Sequence, residues 1–139
     1  MKSVYAKRLI KLAEFLEDLP RKQFSYEQWV GFDWKGAPDL SCGTTACAFG
    51  WATTIPAFRR LGLRLKQYGN RGIPALNGSR LNPSRAAEAA AAHVFGLDEQ
   101  GFLDLFIPGR NESDATPRYV AKKIRRYVAE TSERRGASR

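Results

Sequence analysis

Residues 82–96 read Asn-Pro-Ser-Arg-Ala-Ala-Glu-Ala-Ala-Ala-Ala-His-Val-Phe-Gly, and the class of fold turns on them. Asn82 supplies a side-chain oxygen for the unpaired amides of a first helical turn, and Pro83 occupies the position where a missing N–H costs nothing. The alanines that follow have the strongest intrinsic preference for helix. Gly96 then offers the left-handed conformation that closes helices. The stretch predicts a helix from residue 84 to residue 95, and its neighbours read the same way.

Upstream, over residues 3–19, apolar side chains fall at Tyr5, Leu9, Leu12, Leu16 and Leu19, a four-three-four-three spacing that lines one face of a helix. Pro20 ends it, and Ser25 with Gln28 resembles a capping box for a short second helix. Residues 46–52, Ala-Cys-Ala-Phe-Gly-Trp-Ala, predict a small-residue helix capped by Thr44 or Thr45 and placed at the centre of the core. A turn of helix around Phe58 leads to Leu63, Leu65, Ile73 and Leu76, which flank the turn residues Gly69, Asn70 and Gly72 as a hairpin signal. Downstream, Asp98 caps a short helix carrying Phe102, Leu105 and Phe106, and Thr116-Pro117 opens a last one. The carboxylate pairs Glu17-Asp18 and Asp98-Glu99 sit at helix ends and are read as turning and capping residues. The expected fold is all-α, five to seven helices in a single compact domain over residues 1–139, with one small hairpin near 63–76. Residues 116–134 form a basic amphipathic helix laid on the outside, and 136–139 a frayed tail.

The composition sets outer limits. A chain of 139 residues with 43% hydrophobic side chains suits one core. No apolar run approaches the roughly 18 to 20 residues that cross a bilayer, and Lys7, Lys11, Glu14 and Glu17 interrupt the N-terminal segment, so a cytoplasmic protein without membrane contact is expected. The sequence contains no Walker loop, Gly-x-Gly-x-x-Gly fingerprint, Gly-x-Ser-x-Gly elbow or His-Glu-x-x-His pair, which removes the motif-bearing nucleotide and hydrolase classes.

Two cysteines and one histidine are the only soft or imidazole groups. A thiol at a helix start is acidified by the peptide dipole, so Cys47 as nucleophile with His93 as base forms one enzymatic reading. The Ala and Gly around Cys47 favour the other, a buried thiol acting as a small apolar residue. Cys42, Cys47 and His93 match no common zinc spacing. No metal and no cofactor is expected, and a non-enzyme is preferred.

The pattern Cys42-Gly43-Thr44-x-Ala46-Cys47-Ala48-x-Gly50-x-Ala52, followed by Phe95-Gly96-Leu97 and Leu105-Phe106, resembles a group of small proteins encoded by bacteriophages and prophages and carrying no assigned reaction. The likeness spans about the middle two-thirds of the chain. It implies a phage setting and the cytoplasm of a host cell. Trp51 stands where that pattern often has histidine, and its indole favours packing or a contact surface.

Charge carries the functional expectation. Lys and Arg number 23 against 14 Asp and Glu, a net +9. From residue 117 onward there are eight basic residues and two acidic ones, which is +6 of that total. At about 100° per residue, Val120, Ile124, Tyr127 and Val128 share one side, while Arg118, Lys122 and Arg125 take the other. Tyr119 and Arg126 are available to stack on bases, and Lys123 adds to the charge. In a loop flanked by glycine and proline, Phe32 and Trp34 are candidates for an exposed aromatic contact. The expectation is a phage-associated binding protein that engages an acidic protein or a nucleoprotein of the host and so modulates a host process or defence system. The rivals are the Cys47–His93 enzyme and direct nucleic-acid binding.

Overall fold

The computed structural model describes residues 2–24, 47–68, 71–109, 112 and 115–137. Among them are six α-helices, one 3-10 turn at Arg21–Gln23 and a two-stranded antiparallel sheet, forming one mainly helical body. The elements run α1 (Ser3–Glu17), α2 (Ala48–Ala52), α3 (Pro56–Arg59), β1 (Leu63–Tyr68), β2 (Arg71–Leu76), α4 (Pro83–Phe95), α5 (Glu99–Phe106) and α6 (Pro117–Ala137). A hairpin is present within the expected residues 63–76, in a register pairing Leu63 with Leu76 and Tyr68 with Arg71; Gly72, expected in the turn, pairs with Gln67 inside β2, and Gly69 and Asn70 lie outside the described residues. Phe32, Trp34, Cys42 and the capping pair Ser25 and Gln28 lie outside the described residues.

The local start and stop signals are realised. Asn82 accepts from the Arg85 amide at 3.1 Å, Asp98 from that of Gly101 at 2.8 Å, and Thr116 from that of Tyr119 at 3.1 Å. Gly96 closes α4 at φ 65°, ψ 24°. Three boundaries differ from expectation. α1 stops at Glu17, short of Leu19 and Pro20, with Asp18 as its C-cap. α2 begins at Ala48 with Cys47 in the capping position and no side-chain cap bond. α6 continues to Ala137, past 134 and into the expected tail; Glu133, Arg134, Arg135 and Ala137 favour helix and no proline interrupts them, although Gly136 disfavours it.

α4 is the hub. Its alanine face, Ala86, Ala87, Ala90 and Ala91, is buried with Val94 and Phe95, and it packs against β2, α1, α5 and β1. Methyl side chains let these elements approach closely. α2, with every residue buried, contributes Phe49, whose ring stacks on Phe106 at 4.7 Å and meets Phe95 and Phe102 at 6.2 Å each. Phe58 of α3 adds an edge contact to Phe95 at 5.2 Å. Trp51 is core, its indole N–H donating to the Gln23 carbonyl at 2.8 Å and its ring 6.0 Å from Phe15.

α1 joins both ends of the fold. Leu9, Leu12, Ala13 and Leu16 are buried, and the helix packs most extensively along α6, whose Val120, Ala121 and Ile124 are fully buried. α6 is therefore a core element along one face, more embedded than a helix laid on the outside. Arg8 crosses from α1 to donate to the Val94 carbonyl at 3.1 Å, meeting an unpaired carbonyl at the negative end of α4.

Tyr5 covers Gly96 so closely that an added Cβ there would meet its ring at 2.7 Å from Cγ and 2.8 Å from Cε2. Gly96→Ala is expected to lose about 1–2 kcal/mol from the left-handed backbone alone, and more from the Tyr5 clash. In a double-mutant cycle followed by urea unfolding, Tyr5→Ala should recover the steric part and leave the backbone part. Strict additivity of the two changes would show that the ring contact contributes nothing.

Candidate functional site

α6 presents three classes of cation, sorted by what packs beside them. Around the helix the buried arc holds Val120, Ala121 and Ile124, with Tyr127 and Val128 half-buried at its margins. On one shoulder of the exposed arc, Arg125 Nε and Nη2 donate to Glu17 Oε2 and Oε1 at 3.0 and 2.8 Å, a two-point carboxylate grip. On the other shoulder, Lys123 Nζ bonds both oxygens of Glu112 at 3.1 and 2.9 Å, and the Tyr119 hydroxyl donates to Glu112 Oε2 at 2.7 Å. Between the shoulders lie Arg118, Lys122 and Arg126, all exposed or half-exposed and without a carboxylate in salt-bridge range among the described residues.

Of the residues expected on the free face, Arg118 and Lys122 are exposed, and Arg125 is exposed but paired with Glu17 of α1; Arg126 stands beside them in the open stripe. Lys123 and Tyr119 hold the α5–α6 connection, although half of the Tyr119 ring remains exposed. Arg118, Lys122 and Arg126 are spaced four residues apart, about 6 Å of rise and about 40° of rotation per step, so they form a shallow spiral along the helix. Arg118 and Lys122, with the Glu17–Arg125 pair, line a shallow cleft of about 380 Å³ between α1 and α6.

The carboxylates that do this anchoring were not legible as such in the sequence. Glu17, at the end of α1, is no capping residue: the Arg125 guanidinium holds its carboxyl below the usual range, with Arg118 adding a smaller effect. Glu112 stands in a polar link without periodicity. Burial opposes its ionisation, yet hydrogen bonds from Lys123, the Gly109 amide and the Tyr119 hydroxyl outweigh that and hold it at about 2. The same bond pushes the Tyr119 hydroxyl up.

The cysteine reading meets a different environment from the one a nucleophile needs. Cys47 is 1% exposed, and burial pushes its thiol up to about 12 against the pull of nearby amides at Gly50 and Phe49. Desolvation outweighs the helix-start effect, so the thiolate is suppressed at neutral pH. His93 lies on the exposed side of α4. Among the described residues no group of three or more His, Cys, Asp or Glu side chains is placed to hold a metal ion, and no helix is long and apolar enough to cross a membrane. Searches with the whole chain return no matching family model, no matching curated protein and no matching solved structure.

Two measurements check this environment. Cys47, followed by peptide mapping to separate it from Cys42, should resist iodoacetamide in the native protein and react once urea unfolds it; rapid native labelling would place the thiol at an accessible site. Because the Glu112 carboxyl is depressed from 4.5 to about 2, its contribution to stability is complete above the unfolded value and fades as pH falls from 4.5 toward 2. The thermal stability advantage of the wild type over Glu112→Gln should therefore shrink through that window, and a pH-independent difference would contradict the assignment.

Proposed function

We propose that the protein is a non-enzymatic binding protein, in a phage setting as its sequence resemblance implies, whose α6 engages an acidic surface of a host protein or nucleoprotein and so modulates a host process or defence system. The observation that carries this reading is the stripe of Arg118, Lys122 and Arg126, open to solvent between two shoulders whose charges are already matched by Glu17 and Glu112. A cation that is paired within its own fold gains little from a new carboxylate or phosphate, whereas an exposed one without a partner gives up only hydration. The helix backbone presents the three on a rigid support, so little ordering entropy is lost on contact. The net charge of +9 steers acidic partners in and raises the encounter rate.

The preference for binding over catalysis rests on the buried, protonated thiol of Cys47. The mechanism is occupation of a surface: α6 covers an acidic patch and blocks what would otherwise dock there. Direct nucleic-acid binding would use the same stripe through phosphates.

Salt-titrated binding tests the reading, with a labelled DNA duplex and an acidic polypeptide, poly-glutamate, as probes. Arg118→Ala, Lys122→Ala and Arg126→Ala together should reduce the salt slope on a duplex by about 3, near 0.9 for each phosphate that is no longer neutralised, and should slow association with poly-glutamate several-fold. Arg125→Ala should act mainly on stability. Binding that is unchanged in the triple variant, or insensitive to salt, would remove α6 as the determinant.

A further inference from the structure

A second surface has the opposite character. Between α4, α5 and β2 lies a groove of about 290 Å³. Ile73 and Phe102, both buried, form its floor. Leu103 and Ile107 form its open side and are 43% and 38% exposed, among the few large apolar side chains the described residues leave to solvent. Glu88 of α4 and Glu99 of α5 stand on the same groove, and neither has a basic side chain in salt-bridge range among the described residues. Glu99 has a local explanation, since it sits in the first turn of α5 where the helix dipole favours a negative charge. Glu88 sits in mid-helix, half-buried beside the apolar recess, where no helix end accounts for its charge.

We infer that this groove binds a basic segment of a partner protein, in which one apolar side chain enters the recess and a flanking Lys or Arg on each side meets Glu88 and Glu99. Charge complementarity selects the occupant: Glu88 and Glu99, with Asp98, outnumber Arg85, the cation that lines the adjoining cleft with them, so the rim favours a cation locally, while the more distant positive charges of a chain of net +9 are screened over about 8 Å at physiological salt. Shape bears on its class. At about 290 Å³ the groove is at the lower end of the roughly 300–1,000 Å³ in which small ligands are enclosed, and its apolar side is open at Leu103 and Ile107. An anchor residue carried on a larger chain gains further contact around the rim, as interface hot spots do. The inference stands apart from the α6 stripe, which selects partners of the opposite charge.

The test uses the full-length, 15N-labelled protein titrated with the capped tetrapeptide Lys-Leu-Phe-Lys and, as controls, Glu-Leu-Phe-Glu and phenethylamine. The basic peptide is expected to shift the amide resonances of Ile73, Leu103 and Ile107, to bind at least five-fold more tightly than either control, and to weaken at least five-fold with Glu88→Gln and Glu99→Gln combined. Leu103→Ser, at an exposed position, should weaken it independently of charge. Circular dichroism confirms that each variant remains folded. Equal binding of the acidic peptide, shifts confined to other residues, or no shift at millimolar peptide would overturn the inference. Phenethylamine binding as tightly as the peptide would reassign the groove to small amines, and concentration-dependent self-association abolished by the Glu88→Gln, Glu99→Gln variant would reassign it to a second copy; either overturns it.

Discussion

Phe49 lies where three further phenylalanines converge, stacked on Phe106, tilted against Phe95 and edge-on to Phe102. The helix that carries it has five residues, too short to hold its own shape in water, where nucleating a first turn costs more than the few bonds it closes. α2 exists because its side chains are buried, and the aromatic cluster is closed because α2 fills it. Phe58 extends the contact to α3, and through Phe95 the cluster reaches Gly96 and the Tyr5 ring above it. Each phenylalanine withdrawn from water contributes about 1.5–3 kcal/mol, so much of the stability of this small chain rests on a handful of rings. A thiol beside such a cluster is held neutral by the same exclusion of water that holds the cluster together.

The α1–α6 pair converts this core into a surface. One face of α6 is as buried as any part of the protein, and ion pairs secure the edges of the other. These edge pairs are partly exposed and individually contribute little. Their effect is on which charges remain available. With Arg125 given to Glu17 and Lys123 to Glu112, the cations of α6 without a salt bridge among the described residues are Arg118, Lys122 and Arg126. The α4–α5 groove displays a different arrangement, Glu88 and Glu99 beside an apolar recess with no salt bridge to either among the described residues.

Much of the architecture was legible because its causes are local. The Asn82, Asp98 and Thr116 caps and the left-handed Gly96 each depend on a few neighbouring residues, and each appears where the chain's chemistry places it. The apolar spacing of α1 and α6 identified the buried faces for the same reason, since helical periodicity relates residues three and four apart. The end of α6 was missed through an expectation of fraying that good helix formers did not fulfil. The start of α2 was missed because its position is set by packing, without a side-chain cap to mark it.

The sequence by itself determined a mainly helical chain with a small hairpin, the apolar faces of its helices and a concentration of positive charge at its end, all of them consequences of short-range backbone and side-chain chemistry. Tertiary structure alone decided which of those charges remain open. Glu17 and Arg125 are 108 residues apart, and no periodicity relates them or joins Glu112 to Lys123. It also decided the state of Cys47, where dipole and desolvation act in opposite directions and only the depth of burial says which is larger.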